Sequence, residues 1–463
     1  MQRTISLLQR ILDHELSGYI VIGLLLRMLL MPYFIWPYDI GAYRVGLVYF
    51  LNGYDPYFLH ASIYPPLVYF LTFPLFTVAY HFGFSLDSLS VLDMVNGNSA
   101  NGIVAYSQVD PWFLVLWKLP LLCFDVLTGI VIYSFVKEIA VDFKLPKRLF
   151  LVWFFNPFTL VISYVHGSYD ILVAFFILLG AFLLYRGNYL SSGLCFGLGT
   201  LAKTAPIFVA LPLSVILLLK GVGRSLSIAI LKTNARAFLR FVAGISVCLL
   251  PFAPLLTEYS SLMYMGISRE ISITGGLNQW FFAADLQRSY WINQYVDTIQ
   301  LVFSYFPLIC IIVSLIFCRF LEFGQKRILL AVAFFTGLIY FFLPITLQPQ
   351  YLLWVLPLLV VISAIKKHFL WILGLCSAAG FFFYLSIQSP RIFLYPLAMY
   401  TSLYKPEELI QYVSTYLNVP GVFSRYLRQD LCTLFGGIGF VGLLSMIILL
   451  IVNLWVTKNE ERR

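Results

Sequence analysis

Carboxylates and cations stand at a few places in this chain where chemistry would need them. Asp39 follows the first long apolar stretch directly, and an acid at a membrane edge is costly unless it is solvated in a cavity or paired. Asp170 opens another apolar run, just after His166-Gly167-Ser168-Tyr169. Lys203 lies well inside the apolar stretch LGTLAKTAPIF, where a lysine marks a functional site by default and phosphate binding would suit it. Arg269 and Arg288 flank GGLNQW and sit beside Tyr290 and Trp291; a guanidinium there could grip phosphate bidentately. Each has a plainer reading. Asp39 would cap a helix, Asp170 would be a first-turn acid favoured by the helix dipole, His166 an amphipathic packing residue, and Lys203 a side chain snorkelling to the surface. The two arginines would then be interfacial anchors. Lys118 and Asp125, seven residues apart on one helix face, are expected to pair structurally inside the bundle.

The elements that must position these residues follow from composition. Of 463 residues, 61% are hydrophobic and 11% charged, with a mean hydropathy of +0.89. Soluble domains carry about 25% charge, so a large soluble core is excluded and a polytopic membrane protein is expected. The net charge of +9 does not point to nucleic acid, because the 30 basic residues are scattered in short runs between apolar segments. All seven cysteines fall inside apolar segments with no C-x-x-C pair, and read as small buried hydrophobes. The N-terminal segment carries acids and no small-residue cleavage site, so a cleaved signal peptide is not expected.

Windows of about 20 apolar residues begin near Gly18, Pro111, Leu149, Tyr169, Leu190, Thr204, Ala237, Leu301, Ile328, Tyr351, Phe369 and Leu431, predicting about twelve spanning helices in an all-α bundle. A further apolar stretch, Pro65 to Phe84, is read as a juxtamembrane helix. With a cytoplasmic N-terminus this places 20 of the 30 basic residues inside, seven outside and three (Arg27, Lys118, Lys203) within spans. If Pro65 to Phe84 spanned instead, the basic runs at 137–148 and 220–240 would face outward. Both termini are therefore expected in the cytoplasm, and the outer loops are 38–110, 257–297 and 388–430. No Walker loop, dinucleotide fingerprint or H-E-x-x-H is present. The whole chain reads as one integral membrane domain, residues 1–463, with a module over 1–220 that carries loop 38–110 and variable helices over 221–463 that carry the other two.

Within loop 38–110, Asp39 is followed by Tyr43, Leu47, Phe50 and Leu51 at helical spacing, as a helix lying on the interface requires. An Asn52-Gly53 turn, Asp55-Pro56-Tyr57 and Tyr64-Pro65-Pro66 come next, the prolines fixing an extended entry into the second interfacial helix. These residues resemble the GT-C superfamily of membrane glycosyltransferases, which use polyprenyl-phosphate sugars, and within it the catalytic subunit of GPI mannosyltransferase I. That family has a D-x-D pair after helix one, then a tyrosine, a glycine, Pro-Tyr and Tyr-x-Pro-Leu. Here Asp39, Tyr43, Gly53, Pro56-Tyr57 and Tyr64-Pro65-Pro66-Leu67 take those places. The blocks Lys118-Leu119-Pro120 with Phe124-Asp125-Val126-Leu127-Thr128, Asn156-Pro157 with His166-Gly167-Ser168-Tyr169-Asp170, Ala202-Lys203-Thr204-Ala205-Pro206 and Gln350-Tyr351-Leu352-Leu353-Trp354 are similar to further family motifs in the same order. The likeness covers roughly residues 17–220 and 345–365. Pro37 replaces the first acid of the pair, which weakens the case for a metal-bridging pair, and His166 replaces the family's arginine.

The resemblance implies an inverting transfer of a hexose, mannose first, from a polyprenyl- or dolichyl-phosphate sugar to a glycan or glycolipid acceptor. The site would lie on the outer or lumenal face of an ER or prokaryotic plasma membrane. No N-x-[ST] sequon occurs, a weak lean toward a prokaryote. Asp39 would be the general base. Tyr43, Tyr64, His166, Asp170, Lys203, Arg269, Arg288, Gln350 and Tyr351 would bind substrate, with no cofactor and no indicated metal. Partners would be the lipid-linked donor, the acceptor, membrane lipids and a small membrane subunit, with no nucleic acid. The rivals are a GT-C enzyme using glucose or arabinose, a lipid or solute transporter with functional charges near the bilayer midplane, and a non-catalytic scaffold subunit.

Overall fold

A computed structural model describes residues 14–35, 43, 47, 50–51, 53, 66–84, 111–221, 228–253, 305–321, 323–342, 349–400 and 425–460. Every regular element among them is helical. The helices are α1 (His14–Leu30), α2 (Pro66–His81), α3 (Pro111–Ile139), α4 (Leu145–Phe154), α5 (Asp170–Tyr185), α6 (Tyr189–Ala202), α7 (Ala205–Leu219), α8 (Ile228–Leu249), α9 (Phe306–Phe320), α10 (Gln325–Phe342), α11 (Leu356–Ser363), α12 (His368–Tyr400) and α13 (Arg425–Glu460). Each of the twelve predicted windows holds helix, and α2 holds the thirteenth stretch. Among the described residues four helical stretches are long and apolar enough to cross a membrane unaided: Pro111–Ile139, Lys232–Phe252, His368–Leu385 and Gly437–Val456. The protein is an all-α polytopic membrane protein.

One span is broken, and its break matters for the site. Residues Leu145–Phe154 and Pro157–His166 bend by 41°. Asn156 caps the second piece: its Oδ1 accepts the N–H groups of Phe158 (2.9 Å) and Thr159 (3.4 Å), and its amide donates to Ser377 Oγ on α12 (2.9 Å). Pro157 stands at the first helical position, where its missing N–H costs nothing. The piece then widens into a π-helical turn, Val161–His166, that stops at Gly167.

Close packing sets the rest. α6 lies on α8 through Gly193 and Gly244, where a Cβ on either would collide with the backbone carbonyl of Phe241 or Leu190. Small residues at such crossings let membrane helices approach backbone to backbone. Helix α2 buries Val68, Tyr69, Thr72, Phe73 and Phe76 and turns Phe70, Val78 and Tyr80 outward. Its aromatic neighbours, Phe113 near the start of α3 and Phe252 just past the end of α8, lie at one end of the bundle. At the other end Arg186 pairs with Glu138 and Lys220 Nζ reaches Tyr189 Oη (3.4 Å); the connections there carry Lys137, Lys144, Lys147, Arg148, Lys366 and Lys367.

Two sequence expectations are corrected. Asp125 does not pair with Lys118: its partner is Arg27 of α1 (Nε to Oδ2, 2.8 Å), with Trp153 Nε1 (2.9 Å) and Tyr164 Oη (2.9 Å) also donating to it. Seven residues on a helix are two turns, about 10.5 Å of rise, and each residue finds a nearer partner on another helix. Cys123 is exposed on the outer surface of α3, whereas Cys195, Cys248, Cys310, Cys318 and Cys376 are buried as read.

Candidate functional site

The sequence-predicted residues that the structure describes converge at the end opposite the basic connections. Asp170 is the first residue of α5 and 1% exposed. Its Oδ1 accepts Lys203 Nζ (2.9 Å) and Trp354 Nε1 (2.7 Å), and its Oδ2 accepts Ser168 Oγ (2.6 Å). Three of roughly four lone-pair sites of this carboxylate are therefore taken by protein donors. Lys203 stands in extended backbone where α6 ends, before α7 restarts with Pro206 in its first turn. Its side chain remains 29% exposed, and its ammonium lies 3.9 Å from the centre of the Tyr351 ring and 5.4 Å from that of Trp354.

The turn Pro349–Trp354 is a 3₁₀ helix, in which residues three apart eclipse. Tyr351 and Trp354 accordingly stack, with centroids 4.7 Å apart and planes at 20°. One of these rings lies under the lysine, and the other reaches Asp170. Gln350, in the same turn, has its Oε1 buried without a hydrogen-bond partner.

His166 ends the π turn and its Nδ1 hydrogen-bonds Tyr384 Oη of α12 (2.8 Å). Gly167 follows at φ +82°, a conformation glycine adopts freely. A Cβ there would also meet Ile35 Cδ1 at 2.5 Å and Lys118 Cε at 3.3 Å. Lys118 is buried and donates to the carbonyls of Met31 (3.0 Å), Tyr164 (2.8 Å) and Phe34. The neighbouring Trp117 donates to Gly167 O (2.9 Å).

Tyr43 is fully enclosed, stacked on Tyr69 (5.6 Å, 13°) and against Trp117 (4.0 Å). Burial pushes its phenol well above the ordinary range, so it stays neutral. Tyr43, Leu47, Phe50 and Leu51 are helical, and the turn predicted at Gly53 forms, its N–H bonding Phe50 O (3.0 Å). Asp39, Tyr64, Arg269 and Arg288 lie outside the described residues. Sequence reasoning missed Trp354, Tyr384 and Ser168 as partners of the site; of these, Trp354 and Ser168 carried a signal, inside the blocks Gln350–Trp354 and His166–Asp170. Among the described residues no three of His, Cys, Asp and Glu converge where an ion could be held.

Comparison with known proteins bears on this cluster. A 179-residue stretch, 38% of this chain, is 28% identical to GPI mannosyltransferase 1 of Kluyveromyces lactis, covering 35% of that protein. The chain is related to the GT-C mannosyltransferases. Over 119 residues, 24% of the chain, it is also 27% identical to GPI mannosyltransferase 1 of Saccharomyces cerevisiae, covering 29% of that protein. The chain thus spans about a third of the length of the curated relatives it matches. No protein-family profile matches it.

Proposed function

We propose that this protein is a membrane glycosyltransferase that moves a hexose, mannose in preference to glucose or arabinose, from a polyprenyl- or dolichyl-phosphate carrier to a glycan or glycolipid acceptor. The observation that carries this reading is the partly exposed Lys203 side chain, held by the buried Asp170 carboxylate at the bundle end away from the basic connections, in a chain similar to two mannosyltransferases. The positive-inside pattern supports cytoplasmic termini and a site on the outer or lumenal face.

In this reading the acceptor oxygen attacks the anomeric carbon, the bond from that carbon to the phosphate oxygen breaks, and the acceptor proton passes to Asp39. The configuration inverts. Lys203 meets the negative charge that grows on the departing phosphate, an interaction worth most where the donor is already fixed in place. Asp170 acts through Lys203, because its oxygens are filled by Lys203, Trp354 and Ser168. Gln350 Oε1, a buried acceptor without a partner, suits a sugar hydroxyl. Asp39 is four residues from Ile35 and four from Tyr43, and those two residues pack beside Gly167 and Trp117.

The test is transfer by membranes bearing the full chain, supplied with radiolabelled polyprenyl-phosphate mannose or glucose and extracted lipid acceptors. Mannose is expected in the lipid product, and Asp39→Asn is expected to lower the rate by about 10²-fold or more. An Asp39→Asn protein that folds and transfers at the unaltered rate removes the base assignment. Transfer from neither donor overturns the transferase reading in favour of a transporter or scaffold.

A further inference from the structure

We propose that Trp117 and Lys118 form a clamp that sets the spacing between the segment leading to Asp39 and the turn leading to Asp170, with Lys118 a positioning residue for transfer and not a phosphate ligand. The kinetic half of this inference rests on the transferase reading; the structural half does not.

A lysine in an apolar helix would ordinarily be assigned to a ligand. Here the ammonium has three N–H groups and three carbonyl partners: Met31 O, Phe34 O and Tyr164 O. It is 0% exposed, and none of its partners is acidic. Met31 and Phe34 lie just beyond the end of α1, where carbonyls lack intrahelical partners and a cation is favoured. Tyr164 belongs to the π turn before Gly167. One side chain thus joins the last described residues before Asp39 to the π turn before Asp170.

Trp117 repeats the link one residue earlier. Its indole N–H holds Gly167 O, its own carbonyl accepts Tyr169 Oη (2.7 Å), and its ring packs on Tyr43, four residues past Asp39. Gly167 is the point where both segments meet α3, since a Cβ there would strike Ile35 as well as approach Lys118 and Trp117. The two carboxylates of the site come from chain segments 131 positions apart in sequence. Adjacent residues of α3 touch the flanks of both.

The experiment compares the full-length protein with Lys118→Met, which keeps the apolar stem and removes all three donors, and with Trp117→Phe, which removes one. Hydrogen–deuterium exchange is read on peptides spanning 28–35 and 160–170. The clamp predicts that exchange in both rises by about tenfold in Lys118→Met, the scale of one lost hydrogen bond to a charged group, and less in Trp117→Phe. α12 and α13 should stay unchanged. Mannose transfer should lose about 10²-fold in kcat with donor KM within about threefold, the signature of misplaced reacting groups. If Lys118→Met does not fold, Trp117→Phe carries the same pattern at smaller size. Unchanged exchange in both peptides, or an even rise across all helices, overturns the clamp. A raised donor KM with kcat preserved makes Lys118 a ligand instead. If the unaltered protein transfers nothing, the transferase reading fails while the exchange data still decide the clamp.

Discussion

Among the described residues two ion pairs lie inside the bundle, and they differ in what surrounds the cation. Arg27 and Asp125 are both 0% exposed, and the guanidinium is spent on the carboxylate, on the carbonyls of Gly23 (3.0 Å) and Phe154 (2.7 Å), and on the Phe154 ring. Lys203 and Asp170 also bury the acid, but the lysine stays 29% exposed over an aromatic ring. A closed pair fixes helices: it ties α1 to α3 and to the end of α4. An open pair keeps a cation presentable while the acid behind it holds it still. Of the two pairs, the partly exposed one is therefore the pair that the proposed transfer can use.

Breaking the closed pair should have the largest effect. Arg27→Met strands a buried carboxylate and is expected to cost about 3–5 kcal/mol, read as a lowered thermal midpoint in detergent. Adding Asp125→Leu should recover part of that loss, and a double variant no better than the single would deny that the pair is closed. Next comes the open pair. Lys203→Ala should lower mannose transfer by about 10²-fold, mainly through kcat, with the midpoint moving far less than in Arg27→Met. Equal destabilisation by both variants would erase the distinction between the pairs. The smallest change is Trp354→Phe, which keeps the stack on Tyr351 and removes one donor from Asp170 Oδ1. It should cost about 1.5–3 kcal/mol in the anchoring of that carboxylate and about tenfold in transfer.

The predicted elements came through because their signals are local. Runs of apolar residues announced each helix, and Asn52-Gly53 the turn after the stripe that begins at Tyr43, whereas the break at Asn156-Pro157, inside a window read as one span, emerged only in the structure. Asp170 and Lys203 meet beside the turn that carries Gln350, while Asp39 lies outside the described residues. Tyr43 and Leu47 show where the local signal was incomplete. Their spacing announced a helix with one apolar face, yet nothing in it said that Tyr43 would be sealed among Tyr69, Phe76 and Trp117.

By itself the sequence determined that this chain lives in a membrane, where its spans begin, and that its scarce charges cluster as bases between some spans and acids at others. Those are statements about short windows, and the free energy of moving apolar residues out of water depends on composition alone. Only the tertiary structure decided which charge met which. Asp125 chose Arg27, 98 positions away, over Lys118 on its own helix, and Asp170 took Trp354 from 184 positions away. A hydrogen bond needs atoms within about 3 Å in the right direction, and that distance is set by how helices cross, which no window of the sequence contains.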